Sequence, residues 1–377
     1  MAPIRVAFLN LQSGSHGEYG ALLAAAVGAQ EGVEVLVIAP EKLLKASDRA
    51  RTSLETVQCR TVPMDGSVVT TAKSLRRVWK MLKAFKPDII HEPVGSGVSA
   101  ILPLRPFLPR LAPLVVTEHN PEPHPGVKGR HHGIARSITR KTAALIHVHG
   151  PQAHADMVRL GVPADRLALI RHGAFDEYGA EARTYDRTGS RQILIFGTQR
   201  PNKGFDMLPE IFDKVRAAHP DATMVITGKR SRKMDGEMAA EMIRALDRLA
   251  ETPGCNVMDA RVEEEEVPRL FGECGVCLLP YRSATQSGVA MIAMATGAPL
   301  VATSVGDIPD IVDDGRTGLL APPDPDALAA RVIEVFNDPA KTRARADAAL
   351  AFTREECAWP VIGAKMAAAY RNLIGAG

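Results

Sequence analysis

The sequence lacks any apolar run near the roughly 20 residues that span a bilayer, and MAPIR passes straight into the strand-like VAFLN without a signal-peptide pattern. Both absences lead us to expect a cytoplasmic protein. Cysteine is scarce, with five residues in 377, and an odd number in a long chain fits a reducing compartment and no disulfide framework. Cys274-x-x-Cys277 has no second ligand pair and leads into the apolar VCLLP, so it reads as structural. Aromatic content is only 5%, and no recognised nucleic-acid motif accompanies the basic segments, which excludes a nucleic-acid partner. Internal repeats of 20 to 50 residues and low-complexity stretches are also missing.

What is there is the composition of a folded globular chain, 46% hydrophobic and 24% charged, with 27 Pro and 31 Gly for many short turns. A chain of 377 residues exceeds what one core usually supports, so two domains are expected. The net charge of +3 is uneven. Through residue 185 there are 23 Lys+Arg against 16 Asp+Glu, a balance of +7, which leaves −4 for the rest. A basic first half suits an anionic membrane face or an anionic acceptor, and equally a set of solvated surfaces.

The first half alternates RVAFLN, VEVLVIAP, PDIIHE, PLVVTEH and ALIHVHG with helical patterns. Strands apolar on both faces and separated by helices indicate a parallel sheet covered on both sides. After the polar stretch from Asp176 to Arg191 the pattern restarts with QILIFG, TMVITG, NVMDA, VCLLP and PLVAT. The expected α/β architecture is therefore two doubly wound Rossmann-like domains, 1–185 and 186–352, with the tail 353–377 returning to the first. In that tail Trp359, Ile362, Met366 and Tyr370 recur at the spacing of one helical face.

Ligands of such sheets bind beyond the carboxyl ends of the strands. There, YRSATQSGVAMIAMATGAPLVATSVG at 281–306 reads as a polar loop, a buried helix, a turn and an apolar strand. Thr285, Gln286, Ser287 and Gly288 then lie at the positive end of that helix, where an anion is stabilised. FGTQRPNKG at 196–204 sets Arg200 and Lys203 just past another strand. Two cations and a helix start suggest a bound diphosphate, although an exposed turn with two ordinary cations is the simpler account. Lys229, after VITG, is a further candidate for the nucleotide.

His119 ends PLVVTEH and is expected to project into the cleft, with Glu118 pointing the other way. His119, His124, His131, His132, His147 and His149 tempt a zinc reading, but no HExxH pair is present. Glu263 to Glu266 read as a solvated first helical turn, not a metal site. The segment TAKSLRRVWKMLKAFKP at 71–87 places Leu75, Val78, Trp79, Leu82 and Phe85 at helical spacing among cations. It is either a membrane-surface helix or, more commonly, a helix covering a sheet. The Pro-rich LPLRPFLPRLAP is a second candidate contact for a membrane or acceptor.

From Ile193 to Pro323 the ordered blocks IFGTQRPNKGFDMLPEIF, TMVITGK, VCLLPYRSATQSG, MATGAPLVATSVGDIPDIV and DGRTGLLAPPD resemble the retaining glycosyltransferases of family 4. That resemblance implies the GT-B architecture, with two Rossmann-like domains facing across a cleft. It implies transfer, with retention, of a hexose or similar sugar from a nucleotide-diphosphate sugar to a saccharide or lipid-linked acceptor, with no cofactor. With Arg200, Lys203 and the amides at Gln286 to Gly288 to stabilise the leaving diphosphate, no divalent metal is then needed, and no Asp-x-Asp pair stands in a suitable loop. The resemblance gives Arg200 and Lys203 the leaving diphosphate and His119 a place near the reacting sugar. Gly14 would meet donor phosphate, while His16, Tyr19 and His172 would line the acceptor side. A site at the inner face of the membrane would suit a lipid-linked acceptor.

The chain also departs from the family pattern. Ala284 and Ile292 stand where most members carry two glutamates, Thr198 where many have arginine, and Asp307 where many have a second glycine. The TQSG pattern resembles a subgroup with a variant donor loop. Two further readings follow: a nucleotide-sugar epimerase of similar fold, and a nucleotide- or phosphosugar-binding module without catalysis.

Overall fold

The apolar runs fold as parallel strands in two separate sheets. The computed structural model describes residues 2–95, 101–122, 130–231, 234 and 236–375, without the side chains of 130–135. The first sheet contains β1 (Ile4–Leu9), β2 (Val33–Pro40), β3 (Gln58–Val62), β4 (Ile89–Glu92), β5 (Leu114–Thr117), β6 (Leu145–Val148) and β7 (Leu167–Leu169). Their order is β3-β2-β1-β4-β5-β6-β7. The second contains β8 (Gln192–Phe196), β9 (Thr223–Thr227), β10 (Cys255–Met258), β11 (Val276–Leu279), β12 (Leu300–Thr303) and β13 (Leu319–Ala321), ordered β10-β9-β8-β11-β12-β13. Strand order reverses between β1 and β4 in the first sheet and between β8 and β11 in the second. Those reversals open the crevices in which doubly wound sheets hold ligands.

One compact unit comprises residues 1–122, 129–173 and 358–377, and the other spans 174–357. The division falls earlier than residue 185 because the short segment after Gly173 has no strand yet packs with the second unit. Phe175, Tyr178 and Ala182 are buried there, and Gly179 lies against the Ala295 carbonyl. The final helix is Trp359–Gly375, so Thr353 belongs to the preceding helix Pro339–Glu356. Ile362, Met366 and Tyr370 are fully buried in the first unit, with Trp359 packed beside them.

The helix Val68–Phe85 starts where Ser67 Oγ accepts from the Thr70 amide and ends at Lys86 in the left-handed region (φ 50°). Its Leu75, Val78, Leu82 and Phe85 pack with Ala7, Leu9, Ile90 and Val116 of the first sheet, so the apolar stripe is a core face. In the Pro-rich segment Arg105 is fully buried, bonded to Glu92 and Thr139, and cannot reach an outside partner; Phe107 remains exposed. Glu264–Glu266 form a single turn leading into the helix Val267–Glu273. Cys274 and Cys277 are core thiols, and burial pushes both above the usual range.

Candidate functional site

In the second unit, the loops after β8, β11 and β12 are laced together at the strand-order reversal. Asn202 O accepts from the amides of Arg282 (2.9 Å) and Ser283 (3.2 Å), while Asn202 Nδ2 donates to Ser283 O (3.0 Å). Arg282 Nε also reaches Asp206 Oδ2 at 3.1 Å. The Asp307 amide donates to Thr285 O at 3.1 Å, and Gly306 (φ 58°) lies against the Ala284 carbonyl so closely that any Cβ would overlap it. The expected phosphate loop is thus tied to its neighbours by main-chain bonds, which preorganises its amides.

The helix Gly288–Thr296 begins at Ser287, whose Oγ accepts from the Ala290 amide (3.2 Å) and lies 3.4 Å from the Tyr281 hydroxyl. The Ser287 hydroxyl is therefore engaged in capping and is buried, contrary to the expectation that it faces a ligand. The first helical amides, at Gly288 and Val289, have no intrahelical acceptor, as at any helix start. Gln286 is part-buried, and its Oε1 is enclosed without a partner among the described residues.

Lys203 follows Arg200 in the loop after β8. Its Nζ stands where a side chain on Gly197 would meet it at 3.1 Å, and 5.3 Å from the Tyr281 ring centroid. Val289, in the first turn of the helix, borders the same space. Neither Lys203 nor Arg200 has a carboxylate within ion-pair distance among the described residues. Burial, then repulsion from Arg200, pulls the Lys203 ammonium down from 10.5 to about 8, and burial lowers Arg200. A cation held against such a penalty without a counterion is poised for an anionic ligand. Lys229 is exposed on the next loop, which is joined to this one where the Gln199 amide donates to Lys229 O (3.1 Å). Asn202, Tyr281 and Asp206 support the site and were not singled out from the sequence.

The first unit gathers His119, His149, His172 and Tyr19 into one buried cluster. His119 is only 2% exposed. Its Nε2 donates to Pro93 O (3.0 Å), and its Nδ1 lies 3.2 Å from His149 Nε2, whose own Nδ1 is 3.3 Å from Ile170 O. Both ring nitrogens are engaged inside the protein, which corrects the expectation that His119 projects freely into a cleft. Tyr19, expected on the acceptor side, is 1% exposed, with its ring between those of His119, His149, His172 and Trp359. His172 is likewise buried, its Nδ1 donating to Gly173 O (2.7 Å). His16 remains exposed at the edge of this cluster, its ring centroid 5.0 Å from that of His119. Gly14 (φ 73°) precedes the helix Ser15–Gly28 on the same loop.

A second chain of contacts fixes the tautomers behind the cluster. His147 Nε2 can only donate to Ile170 O (2.8 Å), so its Nδ1 accepts from the Thr117 hydroxyl (3.0 Å). Thr117 Oγ1 in turn accepts from His91 Nε2 (2.9 Å), leaving His91 Nδ1 to accept from the Tyr370 hydroxyl. Burial disfavours the charged form of every ring in this sequence. Burial draws His147 and His172 down to about 4, and His91, His119 and His149 well below the usual histidine range. Among the described residues no group of three or more His, Cys, Asp or Glu is arranged to hold a metal ion. His124 and the side chains of His131 and His132 lie outside the described residues. Within those residues no helix is long and apolar enough to cross a membrane.

The family described as glycosyl transferases group 1 matches residues 190–338, and the one described as glycosyltransferase family 4 matches 21–177. A glycogen synthase of Mycobacterium tuberculosis is 25% identical over 304 residues, covering 76% of this chain and 69% of that one. A phosphatidyl-myo-inositol mannosyltransferase of the same organism is 25% identical over 334 residues, covering 84% and 82%. The fold agrees with that of Anabaena HepE, solved in complex with UDP and glucose, at a TM-score of 0.73 and 17% identity over 98% of this chain and all of that one. With one glycosyltransferase family matched to most of each unit, relatives named as a glycogen synthase and a mannosyltransferase over 76% and 84% of the chain, and the fold shared with HepE, this chain is a glycosyltransferase of the GT-B fold.

Proposed function

We propose that the protein moves a hexose or similar sugar from a nucleotide-diphosphate sugar to a saccharide or lipid-linked acceptor, with retention at the anomeric carbon and without a metal ion. The observation that carries this reading is the pair Arg200 and Lys203, two cations without counterions beside the start of the helix Gly288–Thr296. As the glycosidic bond of the donor breaks, the leaving diphosphate gains charge and the anomeric carbon becomes oxocarbenium-like. Arg200 donates in a fork to phosphate oxygens, Lys203 adds a point charge, and the Gly288 and Val289 amides supply fixed dipoles. Together these groups do the electrostatic work for which other transferases use a divalent cation.

The acceptor classes follow from the relatives, one named for glycogen and one for a phosphatidylinositol, and UDP is bound by HepE. Retention rests on the family 4 resemblance. Ile292, at the position of the second usual glutamate, is 9% exposed on the packed helix and offers no acceptor for a ribose hydroxyl. Ribose recognition therefore falls to other groups of the loop, among which the enclosed Gln286 Oε1 is a suitable acceptor.

Calorimetry with a panel of nucleoside diphosphates and their sugars, with and without a chelator, tests the donor site. Selective binding that survives the chelator is expected, and its loss on chelation would remove the metal-free mechanism. NMR of the transferred product reads the anomeric configuration, and inversion would overturn retention.

A further inference from the structure

The second unit carries a cavity of about 510 Å³ at the end of its sheet opposite the nucleotide loops. Its walls are the residues just before β8, β11 and β12, together with the helices Pro325–Asn337 and Pro339–Glu356. That volume is within the range of small-molecule sites. Four arginines line it, Arg183, Arg187, Arg191 and Arg343, against two acids, Asp186 and Asp347. Arg191 is paired outside the cavity with Asp221, and Asp186 is turned onto the Thr188 amide (2.8 Å).

Arg187 binds only carbonyls. Its Nε donates to Gly272 O and one NH2 to Phe271 O, both at 3.1 Å, while its NH1 reaches Gly297 O. Its charge is thus hydrogen-bonded but not neutralised. Arg343 has no carboxylate within ion-pair distance among the described residues, and Arg183 has a single long bond, to Ala295 O (3.4 Å). Burial first, and then repulsion between Arg183 and Arg354, lowers Arg183; Arg187 is lowered by burial and by Arg343. Arg187 is part-buried with carbonyl partners only, and Arg183 and Arg343 stand exposed beside it, within the fields of Asp176 and Asp186; guanidinium forks in such a group match the oxygens of a small phosphate.

We propose that this cavity is a second anion site that takes a phosphate monoester of a small metabolite, and that its occupant adjusts the nucleotide loop through the helix Gly288–Thr296. That helix connects the two places. Its first residues border the Lys203 loop, and its final carbonyls, with the Gly297 that follows, are held by Arg187 on the cavity wall. A ligand that draws on Arg187 alters the hold on the end of the helix whose start meets the nucleotide. By linkage, nucleotide and monoester then change each other's affinity by the same factor. The coupling rests on the proposed nucleotide site, whereas monoester binding does not.

Calorimetry on the full chain with inorganic phosphate and with glucose 6-phosphate tests the site, using Arg343→Glu, Arg183→Glu and Lys203→Met. Monoester binding is expected to survive Lys203→Met and to weaken at least tenfold in Arg343→Glu or Arg183→Glu, with their melting temperatures near wild type. A preference for glucose 6-phosphate over inorganic phosphate assigns the site to sugar monoesters, and equal binding assigns it to the anion alone. Loss of binding in Lys203→Met would place the monoester in the nucleotide site and overturn the proposal. So would binding unchanged in both glutamate variants, or no heat with either probe at millimolar concentration. Equal nucleotide affinity with and without bound monoester would remove the coupling.

Discussion

Replacing Lys203 with Met is expected to make the protein more stable and less able to bind its donor. In the unliganded protein the ammonium is held at about 8, against an ordinary 10.5. Each pH unit of such a shift corresponds to about 1.36 kcal/mol, so the charged form at neutral pH is disfavoured by up to about 3 kcal/mol. The residue is partly accessible to solvent, which makes that figure a ceiling, and a gain of about 1 to 3 kcal/mol is expected from the isosteric apolar side chain. Against this, a unit charge about 4 Å from a phosphate oxygen is worth roughly 4 kcal/mol at an effective dielectric of 20. With Arg200 and the helix amides still present, a loss of about 2 to 4 kcal/mol follows, or roughly 30- to 1000-fold in affinity. Denaturant melts and calorimetric titration with a nucleoside diphosphate measure the two effects side by side. Binding should also take up protons between about pH 8 and 10.5 in the wild type, because the anion restores the depleted ammonium, and the variant should lack this uptake. A destabilised variant with unchanged affinity would refute the assignment of Lys203 as a cation held in reserve for an anion.

Acid should unfold the first unit early. His147 and His172 sit at about 4 in the folded protein against 6.5 ordinarily, so between those values the unfolded chain binds more protons. Stability is then complete above pH 6.5 and is lost as pH falls toward 4, at up to about 1.4 kcal/mol per pH unit for each residue; a flat stability profile from pH 7 to 5 would contradict this. His119→Ala should reduce turnover more than donor affinity, and because burial holds the ring well below the usual range, the wild-type pH–rate profile should show no limb near neutrality that vanishes in the variant. Gly306→Ala should cost at least about 2 kcal/mol and weaken donor binding through displacement of Ala284, whereas Gly315→Ala, also at positive φ but with open space around it, should cost only about 1 kcal/mol, the left-handed penalty itself. Equal melting points for the two glycine variants would show that the close approach at Gly306 is not a constraint.

The strands were legible because parallel strands covered on both faces are continuous apolar runs, and the tail because Ile362, Met366 and Tyr370 repeat at helical spacing. The strands that do not read as long apolar runs include β3 and β7. β3 is an edge strand whose residues are mostly exposed, and β7 has only three residues. Arg200 and Lys203 stood out as cations directly past an apolar strand. Asn202 did not, since its role is to bond Ser283, 81 positions away, and no local pattern announces such a contact. Position at a strand end suggested that His119 is open to ligand. It does not reveal that rings from positions 19, 149 and 172 close over it. The unit boundary was misplaced for a related reason: the segment after Gly173 is anchored by burial of Phe175 and Tyr178 rather than by a strand.

The return of the helix Trp359–Gly375 to the first unit has a consequence for how the protein is made. Residues 1–173 leave the ribosome before 174–357, yet the core they form lacks Ile362, Met366 and Tyr370 until that later segment has been made. Among the described residues the second unit is one segment, 174–357, which can close as it emerges. Vectorial synthesis therefore completes the units in reverse order. During that interval the surface that the helix Trp359–Gly375 will cover, lined by Ala26 and its neighbours on the helix Ser15–Gly28, faces water or a chaperone.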